Sequence, residues 1–233
     1  MNTSNDYFDH LYRSYLIAHQ SSGWNIETGF RCRLQCPYCQ RSRPNAQQNK
    51  IKKATDISTK TFIKCLNATR KITLCGQISD PLYHPKLLKF LEIKSKDFPN
   101  TTFDIHTNGS GKKMEWWEKA YALSDKKTRW VFGLDGASQE TANQYRIGTS
   151  FDNVLEAMKL GTSRGINIDW QFILFKHNDH EIDKAKEIAR KYNINFHLLY
   201  SNRWPSNSQG LMKSDLQDKN NQEKYKVYVR HKK

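Results

Sequence analysis

The sequence predicts an α/β fold built on a parallel sheet, and three observations carry that expectation. Short apolar runs that read as strands alternate with amphipathic stretches that read as helices at intervals of about thirty residues, the rhythm of right-handed β-α-β units. The 233 residues suffice for one barrel-sized domain with a real core and are too few for two comfortable ones. Short motifs rich in Cys, Gly, Asp and Asn come after the strands, and parallel barrels gather their chemistry at the C-terminal ends of their strands.

Taken in order, residues 3–20 bring Tyr7, Phe8, Leu11, Tyr15 and Leu16 near helical spacing, so residues 1–22 read as an N-terminal helical segment covering one end of the domain. Residues 23–27 read as the first strand, which delivers a cysteine loop at its end. Residues 41–55 are polar and basic without periodicity and read as irregular. Ser58 N-caps a helix running to residue 71 that buries Phe62, Ile63 and Leu66, with Cys65 on it as a small core residue. The second strand, 72–74, ends in Cys75-Gly76-Gln77-Ile78-Ser79-Asp80-Pro81-Leu82. After it come a helix near 86–94, a strand at 102–107, a helix carrying Trp116 and Trp117 and a strand at 129–134. A helix at 151–164, a long apolar strand at 166–175 with Gln171 in it, a helix at 181–192 and a sixth strand at 195–200 complete the pattern. Residues 23–201 thus form the domain. Residues 202–233 read as a polar basic tail, holding a short helix near 211–225 or partly disordered.

The composition, 37% hydrophobic with a mean hydropathy of −0.84, suits a soluble globular chain. No apolar run approaches the roughly 20 residues that span a bilayer, and Asp6, Asp9, His10 and Arg13 break any signal-peptide pattern at the start. Five cysteines, an odd count with three clustered, point to a reducing, cytoplasmic location. The formal charge of +15 is uneven. Between residues 31 and 71 eleven Lys or Arg face a single acid, Asp56, so about two thirds of the net charge flanks the cysteine loop. Such a field attracts acidic protein partners or phosphate backbones.

Arg31-Cys32-Arg33-Leu34-Gln35-Cys36-Pro37-Tyr38-Cys39 sets three thiols in a C-x3-C-x2-C array. The spacing lets Cys36 and Cys39 curl toward one point while the longer arm brings Cys32 round. A four-iron cluster wants four thiolates; with three, one iron stays open, the mark of a site that binds substrate or cofactor. The alternative is a structural zinc completed by a histidine, yet His19 and His84 bring no paired C-x2-C or H-x3-H arm.

With Tyr38 in its aromatic place, the array resembles the signature of the radical S-adenosylmethionine (SAM) superfamily. The resemblance extends over residues 23–200 and implies a partial (β/α)6 TIM-like barrel. It implies a 4Fe–4S cluster on Cys32, Cys36 and Cys39, the fourth iron chelated by the amino and carboxylate groups of SAM. The stretch from Gly76 and Gln77 to Asp80 and Pro81 resembles the family's Gly-Gly-Glu-Pro region, with Asp80 where glutamate is common, and would hold the SAM amino group. Thr107-Asn108-Gly109 resembles a strand end close to SAM. Leu134-Asp135-Gly136 resembles a family segment whose preceding serine touches SAM; Gly133 stands in its place. Tyr145-Arg146-Ile147-Gly148 resembles the segment whose arginine meets the SAM carboxylate, a bidentate pairing. The resemblance therefore implies an enzyme that cleaves SAM reductively to a 5′-deoxyadenosyl radical and abstracts hydrogen from a peptide or nucleotide-like substrate, with no catalytic side chain assigned. Its tail lacks the cysteines of auxiliary-cluster relatives, and the basic collar reads as a dock for an acidic donor, flavodoxin or ferredoxin. The competing reading is a basic nucleic-acid-binding protein with a structural metal, in which Trp24, Trp116, Trp117, Trp130 and Trp204 stack on bases. Core packing is the cheaper explanation of most of those tryptophans.

Overall fold

The computed structural model describes residues 23–42, 51, 54–76, 78–200 and 228–229. Seven strands form one sheet in sequence order, β1 (Trp24–Ile26), β2 (Lys71–Cys75), β3 (Thr102–Thr107), β4 (Thr128–Gly133), β5 (Asn167–Ile173), β6 (Asn195–Tyr200) and β7 (Tyr228–Val229). Helices fill the connections: α1 (Thr59–Ala68), α2 (Leu87–Asp97), α3 (Met114–Ala122), α4 (Gln139–Tyr145), α5 (Phe151–Ser163) and α6 (Ile182–Lys191). This is the parallel α/β architecture that the sequence predicts. The expected N-terminal helix at 3–20 and the tail helix near 211–225 lie outside the described residues.

The chain divides into two compact units. The first comprises the described residues through Cys32, Cys39–Thr107 and Glu118–Trp130. Here β1, β2 and β3 pair in parallel, Ile26 opposite Leu74 and Leu74 opposite Ile105. Alternation turns Ile72, Leu74, Phe103 and Ile105 to a buried face. Helix α1 meets that face with Phe62, which stacks on Phe90 of α2 at 4.2 Å and tilts against Phe103 at 5.8 Å. Each such buried ring contributes roughly 1.5–3 kcal/mol. Ser58 caps α1 as expected, its hydroxyl accepting from Thr61 N–H at 3.0 Å, and Cys65 is buried on it.

The second unit comprises Arg33–Tyr38, Asn108–Trp117 and the described residues from Val131 onward. Strands β5, β6 and β7 pair in parallel, Gln171 opposite His197 and Leu199 opposite Tyr228. Trp170 and Phe172 are fully buried beneath Phe196, and Val154 and Met158 of α5 are buried with them. Two features depart from the expectation. The tail supplies a seventh strand, β7. Helix α4 occupies a stretch that no apolar period marks, because its first turn is held by Ser138, whose hydroxyl accepts from Thr141 N–H at 3.3 Å. Trp117, Trp130 and Trp170 are fully buried, so packing accounts for them.

Candidate functional site

The cysteine loop comes directly after β1. Cys32, Cys36 and Cys39 are half-buried and form no disulfide. Between the last two, Pro37 and Tyr38 reverse the chain, and Tyr38 takes a left-handed φ of 60°, uncommon for a bulky residue and typical of over-determined turns at functional sites. Its hydroxyl is buried without a partner, a group that calls for a ligand or a water. In the second unit the loop's middle is pinned by Gln35 N–H, which donates to Ile147 C=O at 3.0 Å. Among the described residues, no three His, Cys, Asp or Glu side chains stand preassembled around a metal position. The donor set nonetheless suits an iron–sulfur cluster: three cysteines outside any disulfide on one short loop, one of them within the field of a buried guanidinium.

In the first unit, the turn after β2 is unusually tight. A Cβ on Gly76 would fall 1.6 Å from Ser79 C=O, so only glycine lets the chain fold back there. Asp80 is buried behind it, its carboxylate accepting from Leu82 N–H at 3.0 Å and from the Thr107 hydroxyl at 2.8 Å. The end of β2 is thereby tied to the end of β3. Gln77 lies outside the described residues. Glu27, at the end of β1, accepts from Ile78 N–H at 3.2 Å and from the Ser79 hydroxyl. Sequence reasoning missed Glu27, and its place at a strand's C-terminal end was the available signal.

In the second unit, Asn108 is buried and its side-chain oxygen accepts from Ser110 N–H at 2.9 Å, closing the turn after β3. Asp135, fully buried at the end of β4, accepts from Arg146 Nε at 2.7 Å and from Ile173 N–H at 2.6 Å. Its backbone C=O accepts from Asn178. Both carboxylate oxygens are thus engaged by the protein, so Asp135 ties β4 to β5 and aims Arg146. Burial pushes its carboxyl above the ordinary range, against the opposing pull of Arg146 and of Ile173 N–H. For Arg146 burial works against the charge, and Asp135, Cys36 and Tyr145 together outweigh it, so the guanidinium stays charged.

Arg146 spends Nε on Asp135 and keeps both terminal nitrogens in hand. A Cβ at position 133 would lie 2.5 Å from its Nη2. Glycine there is what lets the guanidinium lie across the end of β4, which gives the departure from serine a physical reason. The structure also brings up His177, unmarked in the sequence. It stacks on Phe175 at 5.2 Å with both ring nitrogens buried, and burial, against the opposing pull of a backbone hydrogen bond with Thr141 and of nearby acids, draws its pKa down, so the ring is neutral near pH 7.

Comparisons with known proteins agree with this layout. The crystal structure of Streptococcus suis SuiB bound to S-adenosylmethionine matches with a TM-score of 0.61 at 14% identity, over 88% of this chain and 48% of that one. Methylornithine synthase (PylB) matches with a TM-score of 0.58 at 15% identity, over 82% and 57%. The anSMEcpe structure with bound AdoMet matches at 0.56 and 17%, over 76% and 48%. At such identities the likeness is one of fold, and the chain spans about half the length of each of these proteins. The family model of the Radical SAM superfamily matches residues 26–189, most of the chain. The cysteine loop, the parallel strands behind it and that match together make the chain a member of the radical SAM superfamily, enzymes that work with a 4Fe–4S cluster and S-adenosylmethionine.

Proposed function

We propose that Cys32, Cys36 and Cys39 hold a 4Fe–4S cluster, and that Arg146 and Asp80 receive the carboxylate and the amino group of SAM. One observation carries the reading: Arg146, charged and mostly buried, commits Nε alone to Asp135 and keeps the tip of its fork for another anion, with Cys36 within its field. Held there, the cluster and SAM would supply reductive one-electron chemistry for hydrogen abstraction from the substrate, the electron coming from an external donor. The chain's own part is to bind, orient and exclude water. Asp80 is aimed by Leu82 N–H and the Thr107 hydroxyl, which hold a carboxylate one methylene shorter than glutamate at the strand end. Gly76 lets backbone approach closely. Tyr38 offers a buried hydroxyl from the cysteine loop, and Asn108 shapes the neighbouring turn.

The substrate is a peptide or a nucleotide-like molecule. A peptide is favoured, because SuiB is solved with the precursor peptide SuiA and anSMEcpe with the Cp18Cys peptide. The nucleic-acid reading loses two of its five stacking groups, since Trp117 and Trp130 are fully buried; Trp24 and Trp116 are half-buried, and Trp204 lies outside the described residues. No described helix is long and apolar enough to cross a membrane. The electron donor would be an acidic flavodoxin or ferredoxin drawn to the collar, of which Arg43, Lys50, Lys52 and Lys53 lie outside the described residues. Reversing Arg43, Lys52 and Lys53 to glutamate should abolish flavodoxin-driven SAM cleavage and spare cleavage driven by dithionite; equal loss with both reductants would remove the docking role.

Single cysteine variants test the site itself. Anaerobically reconstituted Cys36→Ala should lose most of its iron and sulfide, while Cys65→Ala and Cys75→Ala keep theirs. Full iron in Cys36→Ala would overturn the ligand assignment.

A further inference from the structure

Two arginines counted with the basic collar are turned inward. Arg31 immediately precedes Cys32, and Arg41 stands two residues beyond Cys39, so they bracket the cysteine loop. Arg31 donates from Nε and Nη2 to Tyr83 C=O at 3.1 and 3.0 Å, and Nη2 also meets Asp56 at 2.6 Å. Arg41 donates from Nη1 to Ile78 C=O at 2.9 Å and to Phe30 C=O. The backbone adds a third tie, Asp80 N–H to Arg31 C=O at 2.8 Å. All of these groups lie in the first unit.

We infer that Arg31 and Arg41 are positioning residues, a pair of straps that fasten both ends of the cysteine loop to the turn of residues 78–83 and so fix Cys32 and Cys39 relative to Asp80. The turn lies beyond the strand ladder, so its anchors are side-chain and backbone ties, with the Asp80 carboxylate held by Leu82 N–H and the Thr107 hydroxyl. Ile78 shows how it is held: Glu27 takes its N–H and Arg41 takes its C=O, so the peptide flanks are gripped by opposite charges. At the far end Tyr83 C=O receives two donors from one guanidinium, a grip that needs the forked geometry of arginine. Without the straps the Asp80 amide would join loop to turn, with Glu27 holding Ile78 and Ser79 from the strand before the loop.

The two straps make different demands on their side chains. Arg41 uses a single terminal nitrogen for both carbonyls, which a lysine ammonium reproduces. Arg31 closes Nε and Nη2 together on Tyr83 C=O while Nη2 also holds Asp56, a forked grip that lysine cannot make. The inference rests on the reading of the loop and of Asp80 as cluster and SAM sites, and the test separates the two. Hydrogen exchange at the Asp80 amide, measured on the protein without cofactor, reads the docking of loop on turn directly. Exchange should quicken by at least tenfold in Arg31→Lys and in Arg41→Met, and stay close to wild type in Arg41→Lys. Asp56→Asn, which loosens Arg31 without removing it, should give a smaller increase and serves if Arg31→Lys does not fold. In reconstituted protein the same two variants should keep their iron and lose SAM affinity by tenfold or more by calorimetry, with Arg41→Lys again close to wild type. Unchanged Asp80 exchange in Arg31→Lys and Arg41→Met would overturn the straps, as would equal damage from Arg41→Lys and Arg41→Met. A wild type that takes up neither iron nor SAM would instead sink the proposed function, and the exchange result would stand apart from it.

Discussion

Among the described residues each unit has an ion pair with one partner fully sealed from water, and these two are sealed from opposite ends. In the first unit Lys94 is 0% exposed and Asp125 25%, with Nζ at 2.6 Å from both carboxylate oxygens. In the second unit the acid is sealed instead, Asp135 at 0% and Arg146 at 18%, joined through Nε alone at 2.7 Å. The first pair is closed: the cation has given its charge to one partner, and only the acid reaches water. The second is open: the acid is consumed in orienting a guanidinium whose terminal nitrogens point onward. A buried charge pair is weak evidence for function in itself, and what distinguishes these two is which partner still has donors to offer.

The largest effect should come from breaking the closed pair. Asp125→Ala leaves the Lys94 ammonium buried and alone, where burial already depresses its pKa below the ordinary lysine value. The loss should be about 3–5 kcal/mol of unfolding free energy, read by urea denaturation, with SAM affinity unchanged in protein that remains folded. The double variant Lys94→Met, Asp125→Leu should recover most of that loss, since an apolar pair needs no desolvation. An Asp125→Ala protein as stable as wild type would mean that Lys94 finds water or another acceptor.

Opening the second pair should act on binding. Arg146→Ala removes a desolvated cation from its anion and should weaken SAM binding by about 2–5 kcal/mol, well over tenfold. Iron content should be preserved. Calorimetry that returns wild-type affinity would take Arg146 out of the site. Gly133→Ser should fall in the same direction with a smaller effect, since its Cβ, 2.5 Å from Nη2, displaces the guanidinium without removing it. Overpacking of this kind typically costs about 1–3 kcal/mol. Unchanged affinity in Gly133→Ser would show that the fork has room to move.

The two pairs also show what was legible in the sequence and what was not. The strand-helix rhythm, the Ser58 cap, the buried Cys65 and the strand-end motifs all announce themselves locally, because a residue's own neighbours along the chain set the pattern. Arg31 and Arg41 read as collar charges because their principal partners are backbone carbonyls, which have no letter in a sequence. Gly133 reads as a lost serine until Arg146 is seen lying over it. Helix α4 escaped notice because its seven residues, QETANQY, carry no apolar period. Its beginning is held by Ser138 and by Glu181, about forty residues further on, which accepts from Ala137 N–H at 2.7 Å and from the Thr141 hydroxyl. Long-range polar ties of this kind organise much of the candidate site, and they are the part a single sequence conceals.

Glu181 offers the smallest and most specific test of such a tie. Burial alone would push its carboxyl up, and the donors Thr141, Ala137 and Ser138 outweigh burial, so its pKa in the folded protein lies below the ordinary 4.5. Between those two values the unfolded chain binds more protons than the folded one, so stability rises with pH across that window. The contribution is fully present above about pH 4.5 and is lost as pH falls through the folded pKa. Glu181→Gln should therefore be less stable than wild type near neutrality, by less than Asp125→Ala is, and the gap should close as the buffer is taken below the folded pKa. A Glu181→Gln deficit that stays constant from neutral to acid pH would mean that the side chain's shape, and not its charge, holds the start of α4, because the neutral amide and the protonated acid would then differ from each other as much as the amide differs from the carboxylate.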